Sequence, residues 1–141
     1  MKSKQGNAGV VGAGISGLSA ALSFSTFGIE VTVYERANNI RDEGVGLQLT
    51  PNATKSLKAL GLLDEITRKC FYPRKLIVND MQSLKSLKEI NLADAMVKKY
   101  GFPYVTISRS VLHKTLLEKC YKLKVKFKHG TTIRSVYQDG D

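Results

Sequence analysis

The chain has 141 residues, of which 43% are hydrophobic and 24% are charged. These are ordinary values for a globular domain, and the length suits one domain or part of one. No stretch approaches the ~20 apolar residues that a membrane-spanning helix requires, which argues against an integral membrane segment. The first residues run directly into a predicted strand and leave no room for a secretory leader, so we expect a cytoplasmic protein.

The formal net charge of +10 lies entirely in residues 54–141, because basic and acidic side chains balance in residues 1–53. A basic region can bind a nucleic acid or an anionic membrane. Its densest part contains six lysines within residues 114–128. In 124–128, however, the lysines alternate with apolar residues, which is typical of a strand with one solvated face. No aromatic residue interleaves on the basic face to stack on bases. The pattern therefore favours a solvated face, and we expect no nucleic-acid partner.

The chain opens with a predicted unit of strand, turn, helix and strand. A short apolar run ends the first strand at Val11, and a second strand spans 31–34. The helix between them has an apolar face at helical spacing, formed by Ile15, Leu18, Ala21, Leu22 and Phe24. The turn before this helix reads G-x-G-x-x-G and consists of Gly12, Ala13, Gly14, Ile15, Ser16 and Gly17. With Glu35 at the end of the second strand, the unit predicts a dinucleotide-binding site.

Each part of this motif has a physical reason. Gly12 permits the tight turn out of the strand, Gly14 lets the backbone approach a pyrophosphate, and Gly17 lets the helix lie close to the sheet. The first helical N–H groups and the helix dipole favour an anion. Glu35 can accept hydrogen bonds from ribose hydroxyls and would repel a 2′-phosphate, so we expect an unphosphorylated adenosine. A glycine-rich turn in some other α/β domain is the alternative interpretation.

A second glycine-rich stretch occupies Gly44–Gly46. Two glycines beside small apolar residues indicate backbone that passes close to a ligand or to another strand. Thr50 is placed to cap a helix that Pro51 opens and Gly61 ends. The buried face of this helix is predicted to consist of Ala53, Leu57 and Leu60.

The rest of the chain is predicted to alternate short strands with helices. The predicted strands are 76–78, 104–107, 125–128 and 132–137. The predicted helices are 62–69 and one that begins after a cap at Ser110. Residues 84–92 are compatible with either a strand or a helix, and the closing residues 139–141 are predicted to form a hairpin turn.

The two cysteines, Cys70 and Cys120, form no C-x-x-C pair and have no neighbouring metal-type ligand in the sequence. We therefore predict reduced thiols and no metal site. A structural disulfide between the two cysteines is the alternative.

Three stretches carry a more specific pattern. The first combines residues 11–18 with 33–36, the second is the G-x-G-x-x-L-x-P-N-A pattern of residues 44–53, and the third is residues 107–113. In this order they resemble the flavoprotein monooxygenases of the aromatic-hydroxylase type, which include salicylate hydroxylase, para-hydroxybenzoate hydroxylase and kynurenine monooxygenase. Members of this group are several hundred residues long, so the resemblance makes the chain an N-terminal fragment of such an enzyme.

The resemblance implies an α/β fold, a Rossmann-like FAD-binding domain of the glutathione-reductase type. Such a domain has a parallel sheet with flanking helices, joined here by part of the mixed sheet of the substrate domain. Residues 1–141 would form one incomplete N-terminal FAD/NAD(P)-binding domain, with 71–104 in its substrate-side region.

By position, the resemblance also implies which residues bind FAD. Those that would hold the pyrophosphate are Gly12, Ala13, Gly14, Ile15, Ser16 and Gly17. Glu35 would bind the adenosine ribose, and Arg36 would line the adenine side, where Ile133 would also pack. The residues that would reach the ribityl chain and the flavin ring are Gly44, Val45, Gly46 and Arg109.

The resemblance further implies a hydroxylase that uses NADH or NADPH as reductant, oxygen, and a small aromatic substrate. No side chain of this chain is predicted to be catalytic, because the flavin carries the chemistry in this family. His113 and His129 have no carboxylate arranged beside them in the sequence and are interpreted as ordinary histidines. The alternatives are an FAD-dependent dehydrogenase or amine oxidase, a plain NAD-binding dehydrogenase, and a non-catalytic remnant that acts through its basic half.

Overall fold

The structure of the chain is a computed structural model that describes residues 6–38 and 45–138. Residues 39–44, which include Gly44 of the second glycine-rich stretch, and the predicted turn at 139–141 lie outside the described residues. The strands are β1 (Asn7–Val11), β2 (Glu30–Tyr34), β3 (Gly46–Leu49), β4 (Lys75–Asn79), β5 (Ser86–Asn91), β6 (Val105–Ser108) and β7 (Lys126–Lys128). The helices are α1 (Ile15–Thr26), α2 (Pro51–Ala59), α3 (Leu63–Thr67), α4 (Asp94–Tyr100) and α5 (Arg109–Lys122). None of these described helices is both long and apolar enough to cross a membrane.

The chain divides into two compact units, and the first is built on a parallel sheet. This unit contains β1, α1, β2 and the chain from residue 112 onward, whereas the second unit contains residues 44–111. The sheet of the first unit has the order β1-β2-β7, with Asn7 opposite Glu30 and Thr32 opposite Lys126. Parallel neighbours need a crossover connection, which α1 provides between β1 and β2. A parallel sheet with flanking helices confirms the predicted α/β class.

The core of the first unit lies between this sheet and two helices. Its buried side chains come from α1, β2 and α5, and include Leu18, Ala21, Leu22, Val31, Val33, Leu112, Leu116 and Cys120. The prediction that Phe24 extends the buried face of α1 is wrong, because this residue is 40% exposed. Since each helical residue advances by about 100°, Phe24 lies about 200° around the helix from Leu22 and faces away from the core.

The basic stretch near the end of the first unit has the predicted alternation. Lys124, Lys126 and Lys128 are exposed, and the two residues between them are buried or half-buried. Lys126 Nζ lies 3.0 Å from Glu30 Oε2 on the neighbouring strand. The prediction of a solvated lysine face on this stretch is confirmed.

The second unit consists of two antiparallel strand pairs and the helices between them. Strand β3 pairs with β6 from Gly46 opposite Ser108 to Leu49 opposite Val105. Strands β4 and β5 form a separate hairpin whose residues are almost all exposed. The buried apolar residues of this unit are Leu49, Leu57, Leu62, Ile66, Leu92, Val105 and Ile107.

Helix α2 begins and ends where the sequence predicts, but its buried face differs. Thr50 is the N-cap residue, Pro51 opens the helix, and Gly61 follows its end with φ +66°. The Thr50 side chain makes no capping hydrogen bond. Leu57 is buried as predicted, and the residue beside it on the buried face is Thr54, whose hydroxyl donates to the Pro103 carbonyl at 2.9 Å.

Three predictions about the later elements require correction or completion. Ser110 is not a helix cap, because α5 begins at Arg109, and the Ser110 hydroxyl lies 2.7 Å from that of Ser108. Residues 132–137 form no strand, and none of the described strands pairs with them. The ambiguous segment 84–92 contains strand β5. Helix α4, which follows it, is not predicted from the sequence.

Candidate cofactor site

The glycine-rich turn connects the end of β1 to the start of α1. Gly12 adopts φ +93°, a conformation that side-chain-bearing residues rarely adopt, and its N–H donates to the Tyr34 carbonyl at 2.8 Å. Gly14 is the N-cap residue of α1, and no side chain caps this helix. The first N–H groups of a helix have no acceptor within the helix, so this end of α1 is suited to an anion.

Gly14 and Gly17 are glycine for different reasons. A Cβ at Gly17 would overlap the Gly12 carbonyl oxygen and lie 3.4 Å from Val10 Cγ1. Glycine is therefore required there for α1 to pack on the turn and on β1. A Cβ at Gly14 would meet no protein atom within 4 Å. Protein packing does not require glycine at that position, and the space in front of the helix can admit a phosphate group.

The carboxylate of Glu35 faces the glycine-rich turn from the end of β2. Its Oε2 accepts a hydrogen bond from the Ala13 N–H at 2.7 Å, and its Oε1 accepts one from the Ala37 N–H at 2.9 Å. These two bonds, the Ala13 bond first, lower the pKa of Glu35 below its ordinary value. The group is therefore an ionised acceptor at neutral pH.

Glu35 also lines an open cavity of about 330 Å³ within the first unit. The cavity is lined by Val11, Gly12, Tyr34, Glu35, Arg36, Thr131, Thr132 and Ile133. The Thr131 N–H donates to the Glu35 carbonyl at 2.9 Å, which holds the segment after β7 beside the end of β2. Three residues predicted for the adenosine end thus share one cavity, namely Glu35, Arg36 and Ile133.

The two threonines of this cavity are not among the site residues that the sequence predicts. They follow the turn after β7, a strand that lies parallel to β2. In open α/β sheets, ligands bind at the carboxyl ends of the strands. A prediction that placed 126–128 beside 30–34 in a parallel sheet would have brought Thr131 and Thr132 to this edge.

His113, interpreted from the sequence as an ordinary histidine, lies against the glycine-rich turn. It is 5% exposed, and its Nε2 lies 2.7 Å from the Ala13 carbonyl oxygen. The sequence indicates this burial, because His113 lies between Leu112 and Leu116 on the apolar side of a predicted helix. A polar group buried among apolar side chains needs a hydrogen-bond partner.

The predicted residues for the flavin end lie in the second unit. The Arg109 N–H donates to the Val45 carbonyl at 3.1 Å, one residue beyond the pairing of Gly46 with Ser108. The antiparallel pairing of β3 with β6 therefore brings together the second and third sequence stretches. Val45 is largely exposed, and a Cβ at Gly46 would meet no atom within 4 Å.

Both cysteines are unbridged thiols. Burial raises the pKa of the Cys120 thiol to about 11 and also raises the pKa of Cys70. Both thiols are therefore protonated at neutral pH and poor nucleophiles. Across residues 6–38 and 45–138, no three His, Cys, Asp or Glu side chains come together as a metal site.

Comparison with known protein families gives a match over almost the entire chain. The family described as FAD binding domain matches residues 6–141. The 3-amino-4-hydroxybenzoate 2-monooxygenase of Streptomyces platensis is 38% identical over 109 residues, which cover 77% of this chain and 28% of that protein. The 3-hydroxybenzoate 6-hydroxylase of Polaromonas naphthalenivorans is 34% identical over 131 residues, which cover 92% of this chain and 33% of that protein.

Solved structures show the same similarity. The tetrameric form of 2-methyl-3-hydroxypyridine-5-carboxylic acid oxygenase superposes with a TM-score of 0.77 at 26% identity, over 91% of this chain and 32% of that chain. HpxO of Klebsiella pneumoniae, solved with FAD and uric acid, superposes with a TM-score of 0.80 at 28% identity, over 98% of this chain and 34% of that chain. The chain thus spans about a third of the length of the proteins that it matches.

Proposed function

Because the chain belongs to the FAD binding domain family, we propose that it forms the N-terminal, FAD-binding part of a flavoprotein monooxygenase. The proposed enzyme hydroxylates a small aromatic substrate with oxygen and uses NADH or NADPH as reductant. The names of two relatives, an aminohydroxybenzoate monooxygenase and a hydroxybenzoate hydroxylase, support this class of reaction. A cytoplasmic location belongs to the same proposal and is supported by the two unbridged cysteines.

The observation that carries the proposal is the arrangement at the start of α1. The open space before Gly14 lies at a helix N-terminus that no side chain caps. We assign the pyrophosphate of FAD to this space, with the N–H groups of residues 14–17 as donors. The fit is chemical as well as steric, because backbone donors and the helix dipole both favour a doubly charged phosphate pair.

Glu35 and the cavity beside it are assigned to the adenosine end of FAD. Each oxygen of the Glu35 carboxylate holds one backbone N–H and retains acceptor capacity for a ribose hydroxyl. Arg36 can lay its guanidinium on the adenine ring, and Ile133 supplies an apolar contact. Val45, Gly46 and Arg109 are assigned to the flavin end, where Val45 is largely exposed and a Cβ at Gly46 would meet no atom within 4 Å.

Bound FAD supplies the redox chemistry of the reaction. The residues of this chain bind and orient the cofactor. The backbone donors at the start of α1 hold the phosphates, and the ionised Glu35 holds the sugar and disfavours a 2′-phosphate. None of the residues assigned here acts as an acid, base or nucleophile.

The test is a titration of the full chain with FAD, followed by isothermal calorimetry and by the change in flavin fluorescence. We expect saturable one-to-one binding by the wild type. Gly14→Val fills the open space and is expected to weaken FAD binding about tenfold or more, equivalent to ~1.4 kcal/mol. Its melting temperature should stay close to that of the wild type, because a Cβ there meets no protein atom within 4 Å.

Gly6→Val is the matched control for this titration. A Cβ at Gly6 would also meet no atom within 4 Å, but Gly6 precedes β1 and lies outside the assigned site. The control should bind FAD like the wild type. Absence of saturable binding by the wild type, or equal affinity of Gly14→Val and Gly6→Val, would refute the proposed function.

A further inference from the structure

Ala13 is held on both sides by side chains that are remote in sequence. Its N–H donates to Glu35 Oε2 at 2.7 Å, and its carbonyl oxygen lies 2.7 Å from His113 Nε2. The contact is almost sealed from solvent, since Ala13 is 2% exposed and His113 is 5% exposed. A carbonyl oxygen can only accept a hydrogen bond, so Nε2 of His113 carries the proton and donates.

We infer that His113 is a positioning residue for the glycine-rich turn. It acts by directing the Gly14 N–H toward the pyrophosphate. This inference rests on the proposed function, which supplies the pyrophosphate. His113 itself touches neither the phosphate nor the flavin in this scheme. Its effect passes through the peptide that joins Ala13 to Gly14.

The geometry of the peptide group explains how His113 acts at a distance. A trans peptide is planar, and its C=O and N–H point in opposite directions. No described peptide bond of this chain is cis. With the Ala13 carbonyl fixed on His113, the Gly14 N–H must point away from His113. That N–H belongs to Gly14, the N-cap residue of α1, where a Cβ would meet no atom within 4 Å.

The turn needs such a constraint because glycines flank Ala13. Gly12 and Gly14 lack a Cβ, so rotation of the intervening peptides meets little steric resistance. A rotated Ala13 carbonyl would place a partial negative charge where the phosphates are assigned and would remove one donor. The His113 bond opposes this rotation, because breaking it would leave a buried carbonyl without a partner.

His113 is itself held in place by the helix that carries it. Its neighbours Leu112, Leu116 and Cys120 on α5 are buried in the core of the first unit. The Cys120 Sγ lies 3.7 Å from the Leu18 carbonyl of α1, two turns further along α5. Helix α5 is therefore anchored against α1, and His113 on α5 contacts the turn that leads into α1.

The inference is tested with three variants of the full chain. His113→Gln retains an amide donor near the place of Nε2, whereas the shorter His113→Asn retains polarity but does not reach the Ala13 carbonyl. His113→Leu removes the donor. The probes are ADP, which contains the pyrophosphate, and adenosine, which does not.

We expect His113→Asn and His113→Leu to bind ADP about tenfold more weakly than the wild type. His113→Gln should stay within about threefold of the wild type, and adenosine affinity should change little in any variant. A general loss of structure would weaken both ligands and would not be rescued by glutamine. If His113→Leu does not fold, the comparison of Gln with Asn decides the matter.

A second readout needs no ligand. The ¹H–¹⁵N resonance of Gly14 should keep its wild-type position in His113→Gln and move in His113→Asn, because the Ala13–Gly14 peptide reorients. Equal ADP affinities and equal Gly14 resonances in the Gln and Asn variants would overturn the inference while the proposed function stands. Failure of the wild type to bind FAD or ADP would overturn the proposed function, and the Gly14 resonance would still report whether His113 orients the turn.

Discussion

The three glycines of the glycine-rich turn are glycine for different physical reasons. Gly12 needs a positive φ, and Gly17 needs the space that its own Cβ would take from the Gly12 carbonyl. Packing does not constrain Gly14, since a Cβ there meets no atom within 4 Å. Protein packing therefore does not explain the glycine at this position of the motif. Close approach of a bound ligand does explain it.

This difference predicts opposite outcomes for the same substitution within one turn. Gly17→Ala should lower the free energy of unfolding by about 1–3 kcal/mol, because the new methyl group forces α1 away from the turn. Gly14→Ala should leave it within about 0.5 kcal/mol of the wild type. Urea denaturation followed by circular dichroism measures both. Similar stabilities of the two variants would show that α1 does not pack on the turn as described.

The Glu35 carboxylate makes stability depend on pH in a defined direction. Hydrogen bonds from the Ala13 and Ala37 N–H groups lower its pKa in the folded state. Its contribution is therefore present above the pKa of the unfolded state, about 4.3, and is lost as the pH falls through the lower folded value. We expect the melting-temperature difference between wild type and Glu35→Gln to be largest near about pH 6 and to shrink below about pH 4. A difference that is constant over this range would contradict the described bonds.

Helix α2 shows how a buried polar side chain joins an element to its neighbours. Thr54 is fully buried, and its hydroxyl donates to the Pro103 carbonyl in the segment before β6. Thr54→Val keeps the volume but removes this donor, so we expect a loss of about 1–3 kcal/mol in the free energy of unfolding. Ser56→Ala on the exposed side of α2 is the control and should change stability by less than about 0.5 kcal/mol. Equal effects in the two variants would show that the Thr54 hydroxyl bonds contribute nothing specific.

The hairpin of β4 and β5 explains why one segment is ambiguous in the sequence. Almost all residues of both strands are exposed, including the apolar Leu76, Ile77, Val78 and Leu87. Alternation of apolar and polar residues predicts a strand only where one face is buried. Since neither face of β5 is buried, residues 84–92 carry no such alternation, and the strand depends on its pairing with β4.

The two errors near the end of the chain have related causes. Residues 132–137 have the composition of a strand, but a strand also requires a neighbour with free backbone groups, and propensity does not supply one. Instead Thr131 bonds to the end of β2, and the following residues line the cavity. Ser110 resembles a cap locally, yet β6 runs directly into α5 and places it inside the first turn.

Taken together, the residues proposed for FAD fall into two groups along the chain. Those for the adenosine and pyrophosphate are all in residues 6–38 and 112–138, whereas the described residues for the flavin end are in 45–111. We therefore expect ADP alone to raise the melting temperature. The gain is about 2.7 kcal/mol when ADP is at 100 times its dissociation constant. Riboflavin, which lacks both groups, should give no comparable shift in differential scanning fluorimetry, and a shift with riboflavin but not ADP would contradict the assignment.

The strand, turn, helix and strand of residues 7–34, with their glycines and the acid that follows, could be predicted from sequence because each rests on local chemistry. Glycine conformations, helix periodicity and the distance from Gly17 to Glu35 act over a few residues and leave a pattern in the chain. The contacts of His113 with Ala13, of Thr131 with Glu35 and of Thr54 with Pro103 leave no such pattern, because they join residues about 50 to 100 positions apart. Only the packing of helices and strands brings these groups within hydrogen-bond distance, and the tertiary structure therefore decided these contacts, including that of His113 with the glycine-rich turn.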